Sequence, residues 1–374
     1  MSLLFTPYTL PAPQGGLSLA NRIVIAPMCQ YAAVDGAAGD WHLAHWASLL
    51  LSGAGLLTIE ATAVTPEGRI TPHCLGLWDE ATAGAFGDVL ARARRLAPPV
   101  PVCVQLAHAG RKASSAAPWH GGALLAPAAG GWQPLAPSAI PHLPHEPAPL
   151  AMSRPQIDAV RDAFAAAAQR ARRIGIDAIE LHAAHGYLLH QFLSPLANRR
   201  EDDYGGSLDN RMRLTLEVFA AVRAVFDGPV GVRVSATDWV DGGWDLSQTL
   251  VLTQKLKALG CSFIHVSSGG VSPQQQIPVG PGYQVPLARE VRLASGLPTT
   301  AVGLITEPRQ AEAILQAGDA DLVAIARAVL YQPRWPWAAA AALGGAVQAA
   351  PQYWRCLPRE AATIFGGQAR VAQR

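Results

Sequence analysis

The chain has 374 residues, half of them hydrophobic, and a formal net charge of only +2. That length and apolar fraction exclude a disordered chain, call for a large buried core and fit a single α/β barrel domain over 1–374. So small a charge excludes the concentrated basic face of a nucleic-acid binder. The five cysteines, Cys29, Cys74, Cys103, Cys261 and Cys356, are scattered without a CxxC pair. They argue against a disulfide framework or a structural zinc and for a reducing, cytoplasmic setting. Residues 1–10 lack the cationic start and apolar core of a secretory signal. The apolar run 46–59 is broken by Ser52, Gly53 and Gly55 and is too short to span a bilayer, so no membrane association is expected.

In chain order, strand-like runs fall at 22–28, 56–64, 102–108, 177–185, 230–236, 263–269, 299–305 and 321–327. Helix-like segments lie between them at 41–51, 80–96, 154–174, 210–226, 247–259 and 307–317, with one more at 333–343. Ser153 before Arg154-Pro155, and Thr306 before Glu307-Pro308, read as helix N-caps with proline in the first turn. Gly175, Gly260 and Gly318 sit where left-handed C-caps belong. Continuous apolar strands alternating with helices imply a parallel sheet buried on both faces, and a count of eight suggests closure into a (β/α)8 TIM barrel. A doubly wound open sheet is the alternative. Residues 111–150 are rich in Pro, Gly and Ala without helical period, which predicts a long capping loop after the third strand.

Reactive groups of such a barrel gather at the C-terminal strand ends. Those ends carry Cys29, Gln105, His108, His182, His185, Tyr187, Arg233, Ser267 and Arg327. The run Glu180-Leu-His182-Ala-Ala-His185-Gly-Tyr187 is the most informative. Two imidazoles can donate to one carbonyl or phenolate oxygen, and Tyr187 can supply a proton to the adjacent carbon. A metal pair or two structural histidines are the other readings; no HExxH or further ligand pattern accompanies the pair. Arg233, inside an apolar strand, needs an anionic or electron-rich partner, which a reduced flavin or a barrel carboxylate would supply. Gly303, Ala326 and Arg327 follow the last two strands, where barrels bind phosphate. No GxGxxG fingerprint points to a Rossmann domain.

Long ordered motifs carry a family resemblance. They are Asn21-Arg-Ile-Val-Ile-Ala-Pro-Met-Cys-Gln-Tyr31, Glu60-Ala-Thr-Ala-Val64, Gln105-Leu-Ala-His-Ala-Gly-Arg-Lys112 and Leu181-His-Ala-Ala-His-Gly-Tyr187. Gln191-Phe-Leu-Ser-Pro195, Tyr204-Gly-Gly-Ser-Leu-Asp-Asn-Arg211, Val232-Arg-Val-Ser235 and Pro281-Gly-Tyr-Gln284 complete the set. The chain resembles the Old Yellow Enzyme family of FMN-dependent ene-reductases, and within it the xenobiotic-reductase-like, thermophilic-like subgroup. The resemblance implies that Ala26, Pro27, Met28 and Cys29 line the flavin, with Cys29 tuning its potential. It implies that Ala61 and Gln105 bind the ring, that Arg233 sits by its anionic edge and that Gly303, Ala326 and Arg327 hold the phosphate. His182 and His185 would bind the substrate oxygen, Tyr187 would be the proton donor, and Tyr31 would reach the substrate from the opposite side.

The resemblance further implies hydride donation by NADPH or NADH and a small α,β-unsaturated carbonyl as acceptor. It also implies a homodimer or higher homo-oligomer, in which Trp354 and Arg355 of the 351–374 tail enter a neighbour's substrate site. The chain continues past that tail motif to Arg374. Trp119 and Trp132 of the capping loop are candidates to narrow the substrate entrance. Three other classes compete, one of them a non-catalytic binding role, against which the His182, His185 and Tyr187 set speaks. A flavin barrel reducing uridines in transfer RNA would need a basic RNA-binding domain, and a non-flavin lyase or hydrolase would need a strand-end Lys or carboxylate pair. The sequence offers neither.

Overall fold

Within each strand-like run lies a strand buried along its whole length, as a sheet covered on both faces requires. The computed structural model describes residues 2–366. Its barrel strands are β1 (Ile23–Ile25), β2 (Leu56–Ala63), β3 (Val102–Ala107), β4 (Ala178–Ala183), β5 (Val230–Ser235), β6 (Phe263–Ser267), β7 (Thr299–Ala301) and β8 (Leu322–Ile325). They pair in parallel in sequence order, and β8 returns to β1 through Val323–Ile23, Ala324–Val24 and Ile325–Ile25, closing the barrel. An antiparallel hairpin, Tyr8–Leu10 with Leu17–Leu19, plugs the N-terminal end. Its Leu10 and Leu19 pack against Val24, Leu56, Ala178 and Phe263 inside the barrel.

The surrounding helices are α1 (Asp40–Leu50), α2 (Glu80–Arg95), α3 (Arg154–Arg173), α4 (Leu188–Leu193) and α5 (Leu208–Val225). After them come α6 (Leu246–Ala258), α7 (Val285–Ser295), α8 (Pro308–Gln316), α9 (Arg327–Tyr331) and α10 (Trp335–Leu343). They bury Trp46, Phe86, Phe164 and Phe219 against the outer strand faces. Ser153 caps α3 as expected, its backbone N–H donating to Gln156 Oε1 at 2.8 Å. Gly175, Gly260 and Gly318 take φ of +80°, +83° and +72° at the helix ends.

Several expectations need correction. Thr306 does not cap α8; Glu307 holds that place and makes no side-chain cap bond. Strands β1, β7 and β8 stop short of the apolar runs that suggested them. Pro27 has no N–H to continue a ladder, Gly303 turns out at φ +126°, and Ala326 leaves the extended region at ψ −100°. The residues thus freed, 26–31, 302–305 and 326, form loops at the C-terminal end of the barrel, and Arg327 starts α9. Helix α7 was not anticipated, and the run 333–343 starts as a helix only at Trp335. The excursion after β3 holds only short 3-10 turns and a two-residue strand pair, Leu135–Ala136 with Leu150–Ala151.

Candidate active site

The end of β4 carries the densest chemistry. His182 is buried, and its Nδ1 accepts the Ala184 N–H at 3.3 Å, which leaves Nε2 as the protonated, available nitrogen. His185 adopts φ +57°, unusual for a residue with a side chain. Its Nε2 lies 2.7 Å from Ser267 Oγ. The two imidazoles stand perpendicular with centroids 5.2 Å apart, and the Tyr187 ring lies 4.9 Å from that of His182. Burial, then the positive field of Arg233, pushes both histidines well below the usual imidazole range, so both imidazoles are neutral. Burial likewise drives the Tyr187 phenol well above its ordinary value and keeps it protonated.

The turn holding these groups is bonded on every side. The His185 N–H donates to Ser235 Oγ at 2.9 Å, and the His185 carbonyl accepts Lys112 Nζ at 2.9 Å. The Gly186 N–H donates to His190 Nδ1 at 2.9 Å, and the Gly186 carbonyl accepts Gln191 Nε2 at 2.7 Å. Lys112 Nζ also donates to the Gly270 carbonyl at 3.1 Å and lies 5.2 Å from the Tyr187 ring centroid. A Cβ on Gly186, at φ +72°, would stand 2.1 Å from the Gly270 oxygen, so only glycine lets the two loops meet.

Around the barrel mouth, Gln105 Nε2 donates to Glu180 Oε1 at 2.7 Å, and Glu180 Oε2 lies 2.8 Å from His265 Nδ1. Arg233, paired in register with His182 on one side and His265 on the other, is buried, yet its Nε has no hydrogen-bond partner. Desolvation by burial opposes the Glu180 carboxylate, but His265 and Arg233 outweigh it and hold the group below the usual range. Cys29 is partly exposed on the loop after β1, two residues before Tyr31. Burial keeps the Cys29 thiol protonated by pushing it well up. Ala26 and Ala61 are buried beside it, and Pro27 and Met28 are partly open. Gly303 receives Gln284, whose Nε2 a Cβ there would meet at 2.9 Å, and Arg327 opens α9.

Trp119 reaches back from the excursion to Tyr31, edge to face at 5.6 Å. Trp132 faces elsewhere, donating to the Glu67 carbonyl at 2.8 Å under the Arg69 guanidinium. Trp354 and Arg355 lie apart from the His/His/Tyr group of their own chain. Trp354 donates to the Ala349 carbonyl at 3.1 Å and lines a cavity of about 880 Å³ with Asn21 and Arg95, at the N-terminal end of the barrel. Arg355 is exposed, and residues 367–374 of the tail lie outside the described residues.

Sequence reasoning missed several contributors. Lys112 and Gln284 lay inside the quoted motifs without a role. Glu60 occupies a β-bulge in β2, where its Oε2 accepts the Gln30 N–H at 2.7 Å and fixes the loop of Cys29 and Tyr31. An acidic residue in an otherwise apolar strand was the available signal. Among the described residues, no group of three His, Cys, Asp or Glu side chains could hold a metal, and no helix is long and apolar enough to cross a membrane.

Residues 3–344 match the model of the NADH:flavin oxidoreductase / NADH oxidase family. The chain belongs to this family. It is 42% identical over 356 residues to an NADPH dehydrogenase of Geobacillus thermodenitrificans, covering 95% of this chain and 98% of that one. An NADPH dehydrogenase of Listeria innocua is 43% identical over 357 residues, covering 95% and 99%. Among solved structures, morphinone reductase in complex with tetrahydroNAD superposes with a TM-score of 0.73 at 28% identity, covering 92% of each chain. These likenesses make the chain an oxidoreductase of the Old Yellow Enzyme family with FMN as cofactor and a reduced nicotinamide as electron donor. Its residues fit that cofactor. The orphaned Nε of Arg233 is a buried donor that an electron-rich ring edge would satisfy.

Proposed function

We propose that this flavoenzyme reduces the activated C=C bond of α,β-unsaturated carbonyl compounds. Carrying the reading is the perpendicular His182–His185 pair with Tyr187 against it, two neutral imidazoles and a protonated phenol at one strand end. Bound FMN would supply the hydride chemistry that links NADPH or NADH to Cβ of the acceptor. Arg233 would lie against the ring's electron-rich edge, Gln105 and Ala61 beside it, Ala26, Pro27, Met28 and Cys29 along it, and Gly303, Ala326 and Arg327 around the phosphate.

The protein's own chemistry follows from its donors. His182 donates from Nε2 to the carbonyl oxygen. His185 has Nδ1 left for that oxygen and donates from it only in the tautomer where the Ser267 hydroxyl donates to Nε2. Both bonds strengthen as negative charge moves onto the oxygen, which is where transition-state stabilisation is gained. Tyr187 then gives its proton to Cα, and Tyr31, backed by Trp119, bounds the other side of the substrate. We also propose a homodimer in which Trp354 and Arg355 approach the partner's substrate site. The test is anaerobic NAD(P)H oxidation with and without a simple enone such as cyclohexenone. Turnover that needs the enone and yields the saturated ketone supports the reading; flavin reduction that no enone reverses overturns it.

A further inference from the structure

Gly186 is the one residue between His185 and Tyr187, and its N–H ends on a buried histidine that touches neither the oxygen-binding pair nor the phenol. His190 is fully buried on α4. Because Gly186 N–H donates to its Nδ1 at 2.9 Å, that nitrogen must carry the lone pair, and the ring proton must sit on Nε2. Nε2 lies 2.8 Å from Oδ1 of Asp238, which is also fully buried. The other oxygen of Asp238 accepts the Ser194 hydroxyl at 2.6 Å and the Trp244 N–H at 2.7 Å. An acceptor-only carboxylate thus faces three donors and can present nothing but an acceptor to His190.

We infer that Asp238 and His190 are positioning residues: Asp238 fixes the tautomer of His190, and His190 holds the Gly186 peptide so that His185 and Tyr187 address one substrate oxygen and its neighbouring carbon. This inference rests on the enone-reductase reading above. The positive φ of both His185 and Gly186 gives the pair something to do. A turn held in sparsely populated backbone regions persists only when its surroundings over-determine it. Lys112, Gln191 and Ser235 hold three of its four polar backbone atoms, and the His190–Asp238 pair holds the fourth. Loss of that one bond frees the Gly186 peptide to rotate, and the two side chains that flank it move with it.

The experiment uses the FMN-loaded protein and three variants. Asp238→Asn must aim its amide NH2 either at His190 Nε2–H or at the Ser194 and Trp244 donors, so one donor pair is opposed. His190→Asn keeps an acceptor near the place of Nδ1, whereas His190→Gln places its amide near Nε2 and leaves Gly186 N–H unpaired. Each is measured for flavin reduction by NADPH, for reoxidation by cyclohexenone, and for the dissociation constant of 4-hydroxybenzaldehyde read from its charge-transfer band. Expected are near-parental flavin reduction throughout and a loss of roughly 10–100-fold in reoxidation and phenol affinity for Asp238→Asn and His190→Gln. That is the range found when groups orienting functional histidines in metal sites are removed. His190→Asn should recover most of the loss. If all three variants bind the phenol and reoxidise within twofold of the parent while only their melting temperatures fall, the pair is structural and the inference is overturned. A parent protein that binds no phenol and is not reoxidised by the enone overturns the enone-reductase reading and this one together.

Discussion

The two ends of the barrel are built from the same strands and solve opposite problems. At the N-terminal end, polar groups are closed off: Asn21 Nδ2 donates to the Gly53 carbonyl at 2.8 Å, and its Oδ1 accepts the Ile23 N–H at 3.1 Å. Beyond it, Ala340, Val347, Ala361, Ile364 and Phe365 form a small apolar cluster that seats the tail. At the other end, Arg233 Nε, His265 Nε2 and Glu60 Oε1 are buried without partners, and the neighbouring titratable groups are shifted by desolvation. Buried orphans are costly, and although Arg223 Nη2 and Trp337 Nε1 also stand unpaired toward the N-terminal end, the orphans around the strand-end histidines mark where the fold trades stability for a prepared site. The sharpest test of that contrast removes a group whose whole effect should be kinetic. Tyr187→Phe keeps the ring that packs on His182 and should slow flavin reoxidation by an enone ~10²–10⁴-fold, with flavin reduction by NADPH nearly unchanged. Stopped-flow traces of the two half-reactions decide this, and equal slowing of both would take Tyr187 out of the proton-donor role.

A smaller effect is expected when one donor of the oxygen-binding pair is lost. His182→Ala or His185→Ala should weaken 4-hydroxybenzaldehyde binding by ~1.5–3 kcal/mol, or roughly 10–150-fold, the size of a hydrogen bond to a charged group. Titration of the charge-transfer band measures it. An unchanged dissociation constant in both variants would mean that the two rings do not share an oxygen.

How much of this was legible beforehand differs between the same two ends. The eight strands could be read because consecutive residues such as Ile23, Val24 and Ile25 are apolar on both faces, and His182, His185 and Tyr187 stood out as polar groups closing such a run. The true ends of β1, β7 and β8 could not be read. Their loops carry Val302 and Ile305, as apolar as any strand, and only Gly303 and Pro27 hint at the break. Helix α7 was hidden behind the Gly-Pro run that precedes it. The bonds that hold the 185–186 peptide were invisible in principle. Lys112 and Ser235 are distant in sequence, and nothing in their spacing says that a side chain will end on a backbone atom.

Glu60 sharpens the contrast through pH. Burial pushes its carboxyl up to about 8, against the pull of the Gln30 N–H, while an unfolded glutamate titrates near ~4.3. Between those values the folded protein holds a proton that the unfolded chain has released. The contribution of Glu60 to stability is therefore fully present below the unfolded value and falls as pH rises toward 8, by ~1 kcal/mol per unit. His42 and His45 face the same space but are lowered to about 4, so they are already neutral in both states above pH 7. Cys29 and Cys74, raised by burial, stay protonated. Denaturant unfolding at pH 7 and pH 8 should show the slope in the parent and a flatter one in Glu60→Gln, which retains an acceptor for Gln30. Identical slopes would remove Glu60 as the source.

The smallest effect concerns the tail, and it separates two roles that truncation would confuse. Cutting the chain after Pro351 would strip Ala361, Ile364 and Phe365 from the apolar cluster, so a loss of activity could come from a damaged barrel end alone. Arg355 offers a cleaner probe, because its side chain is exposed and surface changes of that kind usually alter stability by less than ~0.5 kcal/mol. If the tail serves only its own barrel, Arg355→Ala should leave the melting temperature, FMN content and every kinetic constant where they were. If the tail reaches a partner's substrate site, the same change should leave melting and FMN content alone yet raise KM for an enone severalfold, with kcat and NADPH-dependent flavin reduction little changed. Arginine is among the residues enriched at the centres of interfaces, and its loss there falls on binding rather than on chemistry. Sedimentation across a dilution series completes the test. A protein that stays monomeric at assay concentration, or a KM that does not move, would end the shared-site proposal.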